Sequence, residues 1–160
     1  MNKIALILFF ALMMAGLSAC IQDNPDVFHK FEENGGNNNE NPDENMKIKL
    51  IIDTTTFMVT FSDNATANAF KQLLPMTIDM SELNNNEKYY GLPQSLPTNA
   101  SNPGTVQNGD LMLYGSNTLV LFYKTFSTSY SYTRIGRVDD PTGLQKALGA
   151  GSVTVTFEMQ

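Results

Sequence analysis

The chain is poor in the side chains from which most active sites are made. It holds one histidine, His29, and one cysteine, Cys20, in 160 residues. Both precede the first patterned segment, so no Ser–His or Cys–His pair can be assembled around a nucleophile. A zinc site built from nitrogen and sulfur ligands fails on the same count. The carboxylates offer more. Asp79, Glu82 and Glu87 could form an acid cluster if the segment carrying them folds back on itself. Asp139 and Asp140 precede Pro141 and Gly143, and adjacent residues on a strand or turn point apart, so this pair is read as shaping a turn. Arg134 and Arg137 are three apart, which on a regular strand places them on opposite faces. Tyr89 and Tyr90 lie in a segment rich in Asn and Pro, where exposed aromatics suit a binding surface.

Cys20 has a different context. Lys3 is followed by an apolar run from Ile4 to Leu17 and then by "LSAC", Leu17 to Cys20. A base, a short apolar core and small residues are the layout of a secretory signal. The run falls short of the roughly 20 apolar residues that span a bilayer. "LSAC" matches the box of bacterial lipoprotein signals, in which the peptidase cuts before a cysteine whose sulfur has been diacylated. Residues 1–19 are therefore expected to be a signal peptide and Cys20 the lipid attachment site, carrying palmitate-class chains. Two or more chains hold a protein stably at a membrane. The expected location is the bacterial cell envelope, on the periplasmic or surface face of the outer membrane. With no second cysteine, no disulfide can form within the chain.

Charge divides the remainder. From Cys20 to Met46 the acids Asp23, Asp26, Glu32, Glu33, Glu40, Asp43 and Glu44 face one base, Lys30, and Asn and Gly dominate. Such a composition cannot bury enough apolar surface to fold. Residues 20–46 are read as a flexible acidic stalk, holding the rest of the chain roughly 30 Å from the lipid. Residues 47–160 are nearly neutral. Neither part carries the basic patch that nucleic acid requires.

From Lys47 the apolar pattern has the period of strands. "KIKLIID" alternates Ile48, Leu50 and Ile52 against Lys47 and Lys49, and "TFMVTF" repeats the alternation with Phe57, Val59 and Phe61. The short join between them predicts a hairpin. "DNATANAFKQLLP" changes to helical spacing, capped by Asp63 or Asn64 and stopped by Pro75. "MTIDM" reads as a strand, Ser81 to Gly109 as a long irregular stretch, and "DLMLYGSNTLVLFYK" as a hairpin around Gly115–Asn117. "RIGRV" is a strand, "TGLQKAL" a short helix and "SVTVTFEM" a closing strand. Some seven strands with two short helices argue against a doubly wound fold. A mostly antiparallel closed barrel hides so many strand edges best.

In this order the segments resemble the cyclophilin superfamily, and among it the bacterial cyclophilin-like domains of unassigned function. "FMVTFSDNATANAFKQLLP" is similar to the strand and first helix of cyclophilins. "NGDLMLYGSNTLVLFYKT" is similar to their G-x-L-S-M and S-Q-F-F-I strands, and "RIGRVDDPTGLQKAL" to the strand and closing helix. The resemblance implies a mainly β domain over 47–160, a closed antiparallel barrel of about eight strands with two short capping helices. It also implies a substrate groove, onto which Tyr114, Val120, Phe122 and Tyr132 fall. Val120 stands where the family has glutamine and Tyr132 where it has histidine. The arginine that polarises the prolyl amide has no counterpart in "MTIDMSELNNNEKYYGLP", and "VFHKF" at Val27–Phe31 lies in the stalk, before the first strand.

The expected function is therefore binding without catalysis. The partner would be a small ligand or a protein segment, held in a cleft formed by Tyr90, Tyr114, Val120, Phe122, Tyr132 and Arg134, with no cofactor and no metal. A prolyl isomerase in which Arg134 replaces the missing cation is the first alternative, and a structural subunit of an envelope assembly the second.

Overall fold

The structure is a computed structural model, and it describes residues 46–160. The signal peptide, Cys20, His29 and the stalk expected at the N-terminus lie outside the described residues.

Ten strands and two helices follow one another in the described chain. Strands β1 (Lys47–Ile52) and β2 (Thr55–Phe61) form the expected hairpin, with Ile52 opposite Thr55 and Asp53 in the left-handed region at φ 51°. Ile48, Leu50, Ile52, Phe57, Val59 and Phe61 all point inward, as their alternation requires. Helix α1 (Ala65–Lys71) is capped by Asn64, whose side-chain oxygen accepts from the Ala67 N–H at 2.8 Å. The same side chain donates to the Arg134 carbonyl at 2.8 Å, which ties the helix start to the wall. Ala67 and Phe70 enter the core, where the Phe70 ring meets Phe61 and Phe157 edge-on.

Strand β3 (Met76–Leu83) turns through Asn84 and Asn85, both at φ 56°, into β4 (Glu87–Gly91). Asparagine tolerates this conformation better than most residues. Next come β5 (Thr105–Val106), β6 (Asp110–Tyr114), β7 (Thr118–Phe122), β8 (Phe126–Ser127) and β9 (Thr133–Val138). Helix α2 (Leu144–Leu148) buries Leu144 and Leu148 and ends at Gly149 with φ 62°, and β10 (Val153–Met159) closes the chain.

The wall is a closed barrel in the order β1-β10-β3-β4-β7-β6-β9-β2, every pair antiparallel. Eight strands and two short helices are the architecture expected. The long irregular stretch is a correction: β4 within Ser81–Gly109 is a full member of the wall. Its signal is hidden because a lysine, Lys88, is one of the residues it turns inward, while a tyrosine, Tyr89, is turned outward and exposed. Strands β5 and β8, two residues each, are too short to show a period, and they pair with each other outside the barrel.

That small ribbon creates a second apolar cluster. Inside the wall lies the main core. Outside it, Met112, Val120 and Phe122 from β6 and β7 are buried with Val106 of the ribbon and Tyr132, and Phe126 packs against them. Residues of one strand thus serve two cores, Leu119 and Leu121 inward, Val120 and Phe122 outward.

One irregularity redirects charge. Leu111 pairs with Gly136 but Met112 pairs with Arg134, so β9 carries one extra residue there, Ile135. The bulge resets the alternation. Arg134 and Arg137, expected on opposite faces, both reach the fully buried Asp110. Arg134 Nη1 donates to Asp110 Oδ1 at 2.7 Å, and Arg137 Nε lies 3.7 Å from the same oxygen. At the bulge, Gly136 comes so close to β2 that a β-carbon would stand 2.6 Å from the Thr60 carbonyl oxygen.

Candidate functional site

On the outer face of β3, β4, β7 and β6 lies a groove of about 370 Å³. Cross-strand registry assembles its floor. Leu83 stands opposite Glu87, Tyr89 opposite Val120, and Tyr114 opposite Thr118. Paired residues share a face, so all six look outward. Tyr130 and Tyr132, from the segment entering β9, and Asn84, from the β3–β4 turn, complete the lining.

The rings form a continuous chain. Tyr130 meets Tyr114 edge-on at 6.0 Å between centroids, Tyr114 meets Tyr132 at 5.7 Å, Tyr132 meets Phe122 at 5.4 Å, and Phe122 meets Phe126 at 5.8 Å. This chain descends from solvent into the outer core. Tyr130 is 60% exposed and Tyr114 45%, while Tyr132 and Phe122 are buried. Aromatic faces that stay exposed although a buried core lies directly beneath them make a surface suited to binding.

One charged group lines the groove. Glu87 is only 9% exposed, and its carboxylate has no hydrogen-bond donor or ion-pair partner among the described residues. Burial, with a further push from the Glu82 carboxylate, holds its carboxyl above the usual range. Burial and the nearby Glu87 likewise raise the Tyr132 phenol.

The adjacent residue, Lys88, faces the other way. Fully buried, its ammonium pairs with Glu82 Oε2 at 2.6 Å and donates to the carbonyls of Gly149, at 3.0 Å, and of Gly151, binding β4 to the α2–β10 connection. It stands 5.7 Å from the centre of the Tyr123 ring. Tyr123 donates its hydroxyl to both oxygens of Glu82 at 2.8 Å. Burial opposes ionisation of Glu82, but Lys88, Tyr123 and the Asn85 N–H outweigh it and hold the carboxyl below its usual value. Burial and the Glu82 hydrogen bond push the Tyr123 phenol up to about 12.

Among the residues read from the sequence as a cleft, the structure brings Tyr114, Val120 and Tyr132 into the groove, with Phe122 directly beneath Tyr132. Tyr90 and Arg134 are not among its lining. Tyr90 turns inward against the main core and its neighbour Tyr89 takes the outward place, a one-residue shift that reverses faces. Arg134 is engaged by Asp110. The acid cluster of Asp79, Glu82 and Glu87 does not form. Thr154 donates to Asp79, Glu82 faces inward to Lys88, and Glu87 faces outward alone. Among the described residues no group of three or more His, Cys, Asp or Glu side chains could hold a metal ion. The turn reading of Asp140 agrees with its bond from the Thr142 N–H at 3.0 Å.

Sequence reasoning missed the isolation of Glu87 and the part played by Tyr130. The alternation of Ser129, Tyr130, Ser131 and Tyr132 places both rings on one side and could have revealed Tyr130. Nothing in the sequence shows that Lys88 is spent elsewhere.

The model of the Cyclophilin-like family matches residues 50–158, well over half of the chain. No curated protein matches it. Among solved structures, the solution structure of a hypothetical protein from Archaeoglobus fulgidus is similar with a TM-score of 0.52 at 16% identity. The match covers 76% of this chain and 99% of that one. At that identity the likeness concerns the fold alone.

Proposed function

The chain belongs to the Cyclophilin-like family, and on that premise we propose that its domain is a non-catalytic binding module held at the cell envelope by lipid on Cys20. The observation that carries this reading is the aromatic groove: exposed tyrosine faces set over a closed outer core, on strands paired along the wall. Its volume lies at the lower end of the range for small-ligand sites, about 300–1,000 Å³. It suits a small molecule or a side chain of a protein segment.

The chemistry of the groove speaks against isomerisation. Cyclophilin catalysis, as the resemblance implies, places a cation beside the prolyl nitrogen. The outward positions of β3 here are Thr77, Asp79, Ser81 and Leu83, and the charge in the groove is the carboxylate of Glu87. Arg134 neutralises Asp110.

Titrating the purified chain with proline-containing peptides and a metabolite set, by calorimetry and amide chemical shifts, tests the module. Saturable binding weakened by Tyr114→Ala supports it. Catalysis in a standard prolyl-isomerase assay that disappears in Arg134→Ala overturns the non-catalytic reading. Absence of any ligand, together with a co-purifying envelope protein, favours a structural subunit. For the anchor, Cys20→Ser should release the protein from the membrane fraction and abolish fatty-acid labelling. Labelling that persists in Cys20→Ser sinks that part.

A further inference from the structure

We infer that the ligand of the groove presents a primary alkylammonium group to Glu87, with its hydrocarbon stem against the surrounding tyrosine rings. The inference rests on the binding reading above and names the ligand class. Its ground is an imbalance in the site. An ionised carboxylate largely withdrawn from water without a partner is unfavourable, and buried charges are ordinarily paired. Glu87 is nine-tenths buried and no donor from the described residues reaches it. The one basic residue beside it in sequence, Lys88, points through the wall to Glu82.

The surroundings state what kind of partner fits. Leu83 and Val120 flank Glu87 with apolar surface, and the aromatic side chains of Tyr89, Tyr114, Tyr130 and Tyr132 line the same space. Aromatic faces attract cations, more strongly where water is excluded. An ammonium supplies three N–H donors to a carboxylate that has no protein donor among the described residues. A flexible carbon stem behind it can lie along the apolar floor. An anionic ligand would meet Glu87 with no base in the lining to offset it.

The titratable groups about Glu87 are Glu82 from β3, Tyr89 on β4 itself, Tyr114 from β6, Tyr123 after β7, and Tyr130 and Tyr132 ahead of β9. Tyr123 and Tyr132 are held protonated to high pH and the Glu82 carboxyl is held below its usual value, so Glu87 is the carboxyl whose protonation competes with the cation. Binding therefore weakens as pH falls through the raised Glu87 value.

The test uses the full-length chain, calorimetry, and matched pairs of probes: n-butylammonium against n-butanol, and Nα-acetyl-lysine amide against Nα-acetyl-norleucine amide. The charged member of each pair should bind roughly tenfold or more tighter than its neutral partner. Glu87→Gln should erase that preference while leaving the neutral probes unaffected. Stronger binding of the lysine amide assigns the ammonium to a protein side chain, and stronger binding of butylammonium to a free amine; either supports the inference. Equal binding of charged and neutral probes, or a preference that survives Glu87→Gln, overturns it. If Tyr114→Ala still weakens the neutral probes in that case, the groove reading stands and only the ammonium is lost. If Tyr114→Ala changes nothing, both readings fall.

Discussion

Glu87 and Lys88 are consecutive residues of one strand, both buried, and their surroundings could hardly differ more. Lys88 meets a carboxylate, two carbonyls and an aromatic face on the inside of the wall. Glu87 meets apolar side chains and phenol rings on the outside, with no donor from the described residues. A buried charge whose bonds are all made holds parts of a fold together, whereas one left without partners raises the free energy of the fold. The inner cluster reads as structure because its bonding is complete. The outer carboxylate reads as function because its bonding is not.

Four substitutions test this contrast, and the largest effect is expected inside. Lys88→Met removes the cation from Glu82 and from two carbonyls together. Breaking a buried pair in this way costs about 3–5 kcal/mol, to be read from the urea midpoint at constant slope. A loss below about 1 kcal/mol would mean that water already competes for the cluster.

Tyr123→Phe deletes the hydroxyl donor shared by both oxygens of a charged acceptor, for a loss of about 1.5–3 kcal/mol. It also changes the alkaline limb. The phenol is raised to about 12 in the folded state against an ordinary 10. The unfolded chain therefore gives up this proton first, and stability falls as pH rises from the lower to the higher value. A phenylalanine there should remove that component of alkaline unfolding. An unchanged alkaline limb in the variant would sever the link to Glu82.

Outside the wall the sign reverses. Glu87→Gln should stabilise the protein at neutral pH, by roughly 0.5–2 kcal/mol, as relief of a costly functional group commonly does. The folded state holds the Glu87 proton more tightly than the unfolded chain, so this group subtracts stability as pH rises through its raised value. The advantage of the glutamine variant should therefore vanish in acid and grow toward neutrality. Thermal melts across that range decide the matter, and a destabilised variant at pH 7 would mean that Glu87 has a structural partner. The smallest effect belongs to Tyr114→Ala, whose ring is 45% exposed. Its melting should shift by no more than about 0.5 kcal/mol in stability, while ligand binding weakens.

How far the sequence carried the reading depends on where polarity and burial agree. In β1, β2 and β10 the inward residues are Ile48, Leu50, Ile52, Phe57, Val59, Val155 and Phe157, and alternation alone reveals the strands. In β4 one of the inward residues, Lys88, is a cation satisfied by groups distant in sequence, so the polar–apolar alternation that marks a strand is broken. The bulge at Ile135 is likewise silent, since nothing local tells that β9 holds one residue more than β6 can pair. The same limit governs the groove. Resemblance places Tyr114 and Phe122 on a known pair of strands and Tyr132 just ahead of the strand that carries Gly136. Tyr90 stands in the expected cleft in place of Tyr89 because a stretch read as irregular assigns no faces, and neighbours on a strand take opposite ones.

The tyrosine lining has a consequence for how the protein can be watched. The chain has no tryptophan and six tyrosines. Four of them, Tyr89, Tyr114, Tyr130 and Tyr132, line the groove, and of the other two Tyr123 is hydrogen-bonded to Glu82 and Tyr90 is turned to the core. The near-ultraviolet emission and circular dichroism of the whole protein are therefore largely a signal from one surface. A ligand settling among those rings reports itself without a label.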